Sequence, residues 1–356
     1  MTGHVALDPG LDFTSSLFLG LHHGSASLPP WASLTTGVPA VLHEAPAAHR
    51  VAAAVAAAHG APAGVVGRST LHALMDVMGM LPQRGDIVAI DAAAYSLARW
   101  AALRAAANGA LVRRYAHHRP ESIVLKPGRR LFALTDGWCP GCNRPAPLPE
   151  LQSLARDAGG ALIVDDSLAF GVLGSRRQGE VFGDGSGTPN WCGLDHEAIV
   201  WVASLAKACG APLAVTTGDH STIRRLAGEG GNRVHSSPPS AADLAAASRA
   251  LRDSNEYRTR RSRLQGHVLR LRNRLRDLGL TVNGRPFPVV SIWLPGSDAH
   301  RWWSELQSGG IRAVLQQSRC RRGVMLTFLV RADHTPADLD RLTVALRALA
   351  VRRGAA

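Results

Sequence analysis

Apolar residues along the chain fall into short unbroken runs separated by segments with a helical period. The runs Ile87–Asp91, Ala110–Tyr115, Arg130–Asp136, Ala161–Asp166, Ala198–Ser204 and Leu213–Thr217 read as strands buried on both faces. Amphipathic stretches such as Ser96–Ala107 and Leu148–Ala158 lie between several of them. Alternation of this kind predicts an α/β domain whose mostly parallel sheet is covered by helices on both faces. After Pro238-Pro239 the texture changes. Residues 240–278 read as one long Arg-rich helix ending near Gly279. Strand-like Val289–Leu294, a helix over Ala299–Gln307, and strand-like Ile311–Leu315 and Gly323–Val330 follow. A last helix starts at Thr335-Pro336, a good N-cap followed by proline at the first helical position. The expected division is an N-terminal segment 1–40 packing with the small domain, a large domain 41–237, and a linking helix with a small C-terminal α+β domain over 238–356. No internal repeat is visible.

The 356 residues are 46% hydrophobic, spread along the whole length, so the chain is expected to be globular. No apolar run, including the Ala-rich Val51–His59, is long enough to span a bilayer, and MTGHVALDPGLDF does not read as a signal peptide. The expectation is a cytoplasmic protein with no membrane partner. The formal charge is +13, yet of 40 basic residues only Lys126 and Lys207 are lysines. A GC-rich genome accounts for arginine in place of lysine. It does not account for the excess of positive charge, which hints at an anionic co-substrate. Five cysteines, an odd number, argue against a disulfide framework.

Three features carry chemistry. Ser204-Leu205-Ala206-Lys207 follows an apolar strand, where a lysine amine can be held against a carbonyl cofactor as a Schiff base. Ile163-Val164-Asp165-Asp166-Ser167 puts two carboxylates at another strand end, and because strand residues alternate in direction only one can face a ligand there. Gly67-Arg68-Ser69-Thr70-Leu71-His72 opens a helix with small hydroxyl residues, a place suited to a phosphate. Each has a bland reading on its own: a surface lysine, a strand-end cap, an ordinary N-cap. Their order, with 95 residues from Thr70 to Asp165 and 42 from Asp165 to Lys207, makes them a constellation.

That constellation resembles the pyridoxal-phosphate (PLP) enzymes of fold type I, most closely the α-oxoamine synthase branch (8-amino-7-oxononanoate synthase, 5-aminolevulinate synthase and relatives). Phe13-Thr14-Ser15-Ser16-Leu17-Phe18-Leu19-Gly20-Leu21 is similar to the branch's opening F-S-S-N-D-Y-L-G-L. Residues 164–174, VDDSLAFGVLG, resemble V-D-[DE]-A-H-[GS]-T-G-V-[IL]-G, and Ser204–Lys207 matches [ST]-x-[GS]-K. Ser236-Ser237-Pro238-Pro239 resembles S-T-S-x-P-P, and His334–Asp340 echoes H-x-x-x-D-[IL]-D. The resemblance implies PLP as cofactor, Lys207 as Schiff-base lysine and proton shuttle, and Asp165 as partner of the pyridine nitrogen. It places Ser69 and Thr70 at the phosphate, Ser204 at the phosphate or ring oxygen, and Tyr95 where the family stacks a histidine on the ring. Ser236 or Ser237 would reach a neighbouring subunit's phosphate, which implies a homodimer with shared active sites.

Other positions depart from the branch. Leu168 stands for the histidine of D-x-A-H, Pro140 for the serine of E-x-x-x-S, and Thr327 for the arginine that grips the substrate carboxylate; Arg331 and Arg322 are the nearby alternatives. The cofactor half of the signature is kept and the substrate half is not. The reading is therefore a PLP-dependent transferase that forms a C–C bond at Cα of an atypical amino acid substrate, in specialised metabolism. An aminotransferase on the same fold is the alternative. A non-catalytic anion- or nucleic-acid-binding protein is the alternative of another class, against which the intact Asp165–Lys207 pair speaks. Trp138-Cys139-Pro140-Gly141-Cys142 has thioredoxin-like C-x-x-C spacing, but no second cysteine pair follows, so incidental thiols and no metal are expected. The eight arginines of Arg258–Arg276 read as a solvated helix face rather than a nucleic-acid footprint.

Overall fold

The computed structural model describes residues 10–354, apart from 253, 283 and 296. The chain folds into two compact units, a large one of residues 21–139 and 145–257 and a small one of residues 10–20, 140–144 and 258–354. The large unit is built on a seven-stranded sheet of β1 (Ala63–Gly67), β2 (Ile87–Asp91), β3 (Leu111–Tyr115), β4 (Leu131–Asp136), β5 (Ala161–Asp165), β6 (Ile199–Ser204) and β7 (Ala214–Gly218). Their order in space is β1-β7-β6-β5-β4-β2-β3, and every pair is parallel except those of β7, which runs antiparallel to β1 and to β6. Every residue of β2 and β7, and all but the last of β4 and β6, are buried, which explains their unbroken apolar sequences. At the edge, β3 exposes Arg113 and Arg114, side chains that discourage pairing with another chain.

Helices α1 (Pro46–His59), α2 (Thr70–Met80), α3 (Ser96–Ala107), α4 (Leu148–Asp157), α5 (His220–Glu229) and α6 (Ala241–Arg252) accompany the sheet. Their ends follow local chemistry. Gly60 closes α1 at φ +86°, and the Asp219 carboxylate caps α5 by accepting the Ser221 and Thr222 N–H groups at 2.8 and 2.9 Å. One core cluster joins Leu74, Val77 and Met78 of α2 to Ala98, Ala101, Ala102 and Ala105 of α3 and to Val88, Ile90 and Leu134 of the sheet. The alanine stripe on α3 has the i, i+3, i+4, i+7 spacing of a buried face. Each of Leu74, Val77 and Met78 contributes about 1.5–3 kcal/mol by leaving water.

The small unit holds α7 (Ser254–Asp277, shared with the large unit up to Tyr257), β8 (Val289–Trp293), α8 (Asp298–Ser308), β9 (Val314–Gln317), β10 (Val324–Leu329) and α9 (Pro336–Gly354). The strands form an antiparallel sheet in the order β8-β10-β9. The stretch expected as one helix over 240–278 is helical over Ala241–Arg252 and Ser254–Asp277, and Asp253 lies outside the described residues. The strand-like Ile311–Leu315 divides its pairing, with Ile311–Arg312 parallel to Leu11–Asp12 and the rest in β9. Thr335 and Asp338 exchange hydrogen bonds of 2.7 and 3.2 Å as a reciprocal cap on α9. Arg272 departs from the solvated face expected of its helix: it is 1% exposed, donates to the Gly284 carbonyl at 2.7 Å, and is pushed down to about 10 by burial and by Arg276. Among the described residues no helix is long and apolar enough to cross a membrane.

Candidate active site

Strand register brings the functional residues to one edge of the large sheet. Ala214, which opens β7, pairs with Gly67 at the end of β1 and with Ser204 at the end of β6. Asp165, the last residue of β5, lies between Val202 of β6 and Asp136, the last residue of β4. Ligands of open α/β sheets bind at this carboxyl edge.

The two consecutive aspartates are told apart by their partners. Asp166 accepts the Thr188 N–H at 2.7 Å, the Thr188 hydroxyl at 2.6 Å and the Trp201 indole N–H at 3.0 Å. Gly137 and Gly187 make room for it, since a Cβ on either would come within 2.3 and 2.6 Å of its carboxylate oxygens. Burial pushes Asp166 up from 3.8 to about 6, although the Thr188 and Trp201 donors work against the rise. Asp165, 8% exposed, accepts the Ser167 N–H at 3.1 Å and points to the other side of the strand.

Lys207 sits in the loop 205–213 that turns β6 into β7. The loop is closed by Leu205 N–H to Leu213 O at 2.9 Å and Cys209 N–H to Leu205 O at 3.1 Å. Gly210 makes the turn at φ +63°, where a Cβ would lie 2.2 Å from the Leu21 carbonyl oxygen, so no larger residue fits. Burial pushes the Lys207 amine below the ordinary lysine value, while the charges of Asp165 and then Asp136 pull it back up. Asp136 is a carboxylate that the sequence reading did not single out; its position at the end of an apolar strand was the available signal. It accepts the Tyr95 N–H at 3.1 Å on each oxygen.

Ser167 is the second residue missed by sequence. Its hydroxyl accepts the Ser204 N–H at 3.0 Å and lies 3.3 Å from the Thr70 hydroxyl, so it joins the ends of β5 and β6 to the first turn of α2. Ser69 is the N-cap of α2, accepting the His72 N–H at 3.4 Å and lying 2.8 Å from His72 Nδ1. A Cβ on Gly67, just before this turn, would meet no atom within 4 Å. The Ser204 hydroxyl accepts the Ala206 N–H at 3.3 Å. Asp165, Lys207, Ser204 and Thr70 are thus brought together, by charge interaction or through Ser167. Tyr95 stands before α3 with its side chain half exposed. Ser237 lines a cleft with Gly67, Arg68 and His72, beside the segment that opens α2.

The departing positions are equally concrete. Leu168 is half-buried. In the small unit Thr327 is fully buried, 2.9 Å from the Ser291 hydroxyl and 3.4 Å from Gln316 Oε1. Arg331 is held by Asp12 at 3.1 Å and Asp333 at 2.9 Å, whereas Arg322 is exposed.

Residues 144–346 match the family described as aminotransferase class I and II. An 8-amino-7-oxononanoate synthase of Halorhodospira halophila is 31% identical over 305 residues, covering 84% of this chain and 73% of that protein. A putative 8-amino-7-oxononanoate synthase of Thermosynechococcus vestitus is 27% identical over 96% of this chain and 88% of its own. Among solved structures, serine palmitoyltransferase from S. paucimobilis with a bound PLP–myriocin aldimine superposes with a TM-score of 0.84 at 17% identity, covering 97% of this chain and 88% of that one. The 8-amino-7-oxononanoate synthase of Francisella tularensis gives 0.76 at 20% identity, with 98% and 99% covered. The chain belongs to the class I and II aminotransferase family, in the α-oxoamine synthase branch of PLP fold type I, and is a PLP-dependent transferase.

The residues present fit that cofactor. The half-buried Lys207 amine, its proton affinity lowered by burial, lies within the charge of the two strand-end carboxylates Asp165 and Asp136. A capped helix N-terminus with open room over Gly67 begins two residues after the end of β1.

Proposed function

We propose that the protein joins an acyl group to Cα of an amino acid, and that its amino substrate is bulkier or less simple than those usual in the branch. The observation that carries this reading is Lys207 on its pinned loop, within the charge of both Asp165 and Asp136. The relatives' names, 8-amino-7-oxononanoate synthase and serine palmitoyltransferase, support a synthase that transfers an acyl group. The +13 charge supports an anionic co-substrate such as an acyl-CoA.

PLP, when bound, drains electrons from the bonds at Cα of an amino acid. Everything else falls to this chain. The Asp165 carboxylate holds a proton on the ring nitrogen. Ser69, Thr70 and the N-terminus of α2 bind the phosphate, with Ser167 bracing Thr70 and Ser204. Tyr95 would offer its ring to the face of the bound cofactor. Lys207 takes the proton from Cα and returns one to the product, a task for which burial raises its share of free amine. The choice of substrate lies with the departing positions: Leu168 offers an apolar surface where the branch has an imidazole, and Thr327 offers no positive charge to a carboxylate. In a homodimer Ser237 would be the residue that reaches the phosphate of the second copy. A cytoplasmic place in specialised biosynthesis fits this reading.

The test is release of free CoA thiol by the holoenzyme from a panel of acyl-CoAs and amino acids. Release that needs both partners and disappears in Lys207→Ala supports the reading. No release with any pair, together with turnover of the pyridoxamine form by a keto acid, would make the protein an aminotransferase.

A further inference from the structure

The loop that carries Lys207 is held from outside as well as by its own bonds. Its backbone bonds gather at Leu205, whose N–H donates to Leu213 O at 2.9 Å and whose carbonyl accepts the N–H groups of Cys209 and Ala211 at 3.1 and 3.2 Å. Cys209, two residues beyond Lys207, presents its own carbonyl to His23, whose Nε2 lies 2.8 Å away. The two residues are 186 apart in sequence and belong to the same large unit. A second contact lies beside the first: a Cβ on Gly210 would overlap the Leu21 carbonyl oxygen and come within 3.3 Å of the His23 ring. The segment 21–23 thus packs against the loop just past its lysine.

A carbonyl can only accept, so Nε2 carries a proton, and in the neutral ring Nδ1 keeps a lone pair. That Nδ1 is buried and has no hydrogen-bond partner among the described residues. A bare buried acceptor costs stability and calls for a compensating role. The ring supplies one. It reaches the carbonyl through two side-chain torsions, fewer than a glutamine needs, so the donor is held in place with less entropy lost. A reacting group must sit within about 0.5 Å of its productive position, and its supporting residues decide whether it does.

We propose that His23 is a positioning residue for Lys207: its Nε2–H, held on the Cys209 carbonyl, fixes the far limb of the loop and with it the place of the lysine amine. The inference rests on Lys207 as the residue that holds PLP and goes beyond that reading by naming what holds Lys207. It does not depend on which amino acid or acyl group the protein uses.

The test compares the full-length holoenzyme with His23→Ala, His23→Asn and His23→Gln. Borohydride reduction and peptide mapping of the unaltered protein first locate the cofactor. Visible circular dichroism per unit absorbance then reports how firmly the bound cofactor is oriented. The rate at which the visible band returns, when PLP is added back to stripped protein, reports how well the amine is placed. Both should fall in His23→Ala and His23→Asn, the rate roughly 2- to 10-fold, the worth of one hydrogen bond. His23→Gln should recover most of both, because its amide N–H₂ lies as many bonds from the backbone as Nε2, whereas that of asparagine lies closer in. A merely structural role would lower Tm and leave the dichroism per bound cofactor unchanged. Should His23→Ala fail to fold, the asparagine and glutamine variants, alike in polarity, decide the matter. Unaltered values in His23→Asn, or equal losses in His23→Asn and His23→Gln, would overturn the proposal while a label on Lys207 upholds the reading beneath it. A label elsewhere in the unaltered protein would overturn both.

Discussion

The hydroxyl of Ser167 lies 3.3 Å from that of Thr70, and the same oxygen accepts the Ser204 backbone N–H at 3.0 Å. One small side chain thus ties the strand end that bears Asp165 to the proposed phosphate-binding turn and to the start of the lysine loop. Ser167→Ala should keep the fold, because the branch motif itself has alanine here. It should weaken PLP retention by about 0.5–1.5 kcal/mol, roughly 2- to 10-fold in Kd. Spectroscopic titration of the apoenzyme measures this, and an unchanged Kd would remove Ser167 from the positioning of the cofactor.

Asp165 and Asp166 should respond oppositely to the same change. Asp165→Asn should leave Tm nearly unchanged and lower turnover by roughly 10²-fold or more, since the lost charge stabilises only the reacting centre. Asp166→Asn turns an amide N–H₂ towards donors from Thr188 or Trp201 and should cost about 1–3 kcal/mol of stability. Equal loss of Tm in both variants would contradict the division of roles.

A pH dependence of stability follows from Asp166, whose carboxyl is raised from 3.8 to about 6 by burial. Between those values the native chain holds a proton that the unfolded chain has released. Its contribution is therefore present below about pH 4 and is lost as pH rises through about 6, on the order of 3 kcal/mol. Denaturant titrations from pH 4 to 7 should show this falling component in the parent protein and its absence in Asp166→Asn. A parent curve that lacks it would place the Asp166 value near that of an ordinary carboxyl.

Thr327 tests the substrate reading. Its hydroxyl is spent on Ser291 at 2.9 Å, and the branch has an arginine at this position. Thr327 is fully buried, so Thr327→Arg should cost stability, about 3–5 kcal/mol while no substrate carboxylate pairs the guanidinium. It should lower KM for simple α-amino acids about 10-fold or more, the effect of one charge-assisted hydrogen bond. No gain for any α-amino acid, in a variant that still folds and binds PLP, would show that the carboxylate is gripped elsewhere.

Strands β2 and β4 to β7 are legible in the sequence because burial on both faces leaves mostly apolar runs, whereas the edge strand β3 shows only in Leu111, Val112 and Tyr115, its Arg113 and Arg114 being exposed. β1, Ala-Gly-Val-Val-Gly, is not legible, because two glycines interrupt its run and only Val66 is buried. The lysine, the Ser69-Thr70 turn proposed for the phosphate and the aspartate pair are legible from residue type at strand and helix ends. What engages Asp166 is not legible, because its partners Thr188 and Trp201 lie 22 and 35 residues away and leave no local trace. Asp136 and Ser167 escape for the same reason, since their importance comes from strand register. The helix of eight arginines reads as solvated, and pattern alone does not reveal that Arg272 turns inward to the Gly284 carbonyl.

The central claim is that Lys207 holds PLP as a Schiff base. It is tested most directly by borohydride reduction of the purified holoprotein followed by peptide mapping. The account predicts a yellow protein that bleaches on reduction, with phosphopyridoxyl on Lys207 and not on Lys126, and no visible band in Lys207→Ala. A folded protein that stays colourless with added PLP, or that carries the label elsewhere, would contradict it.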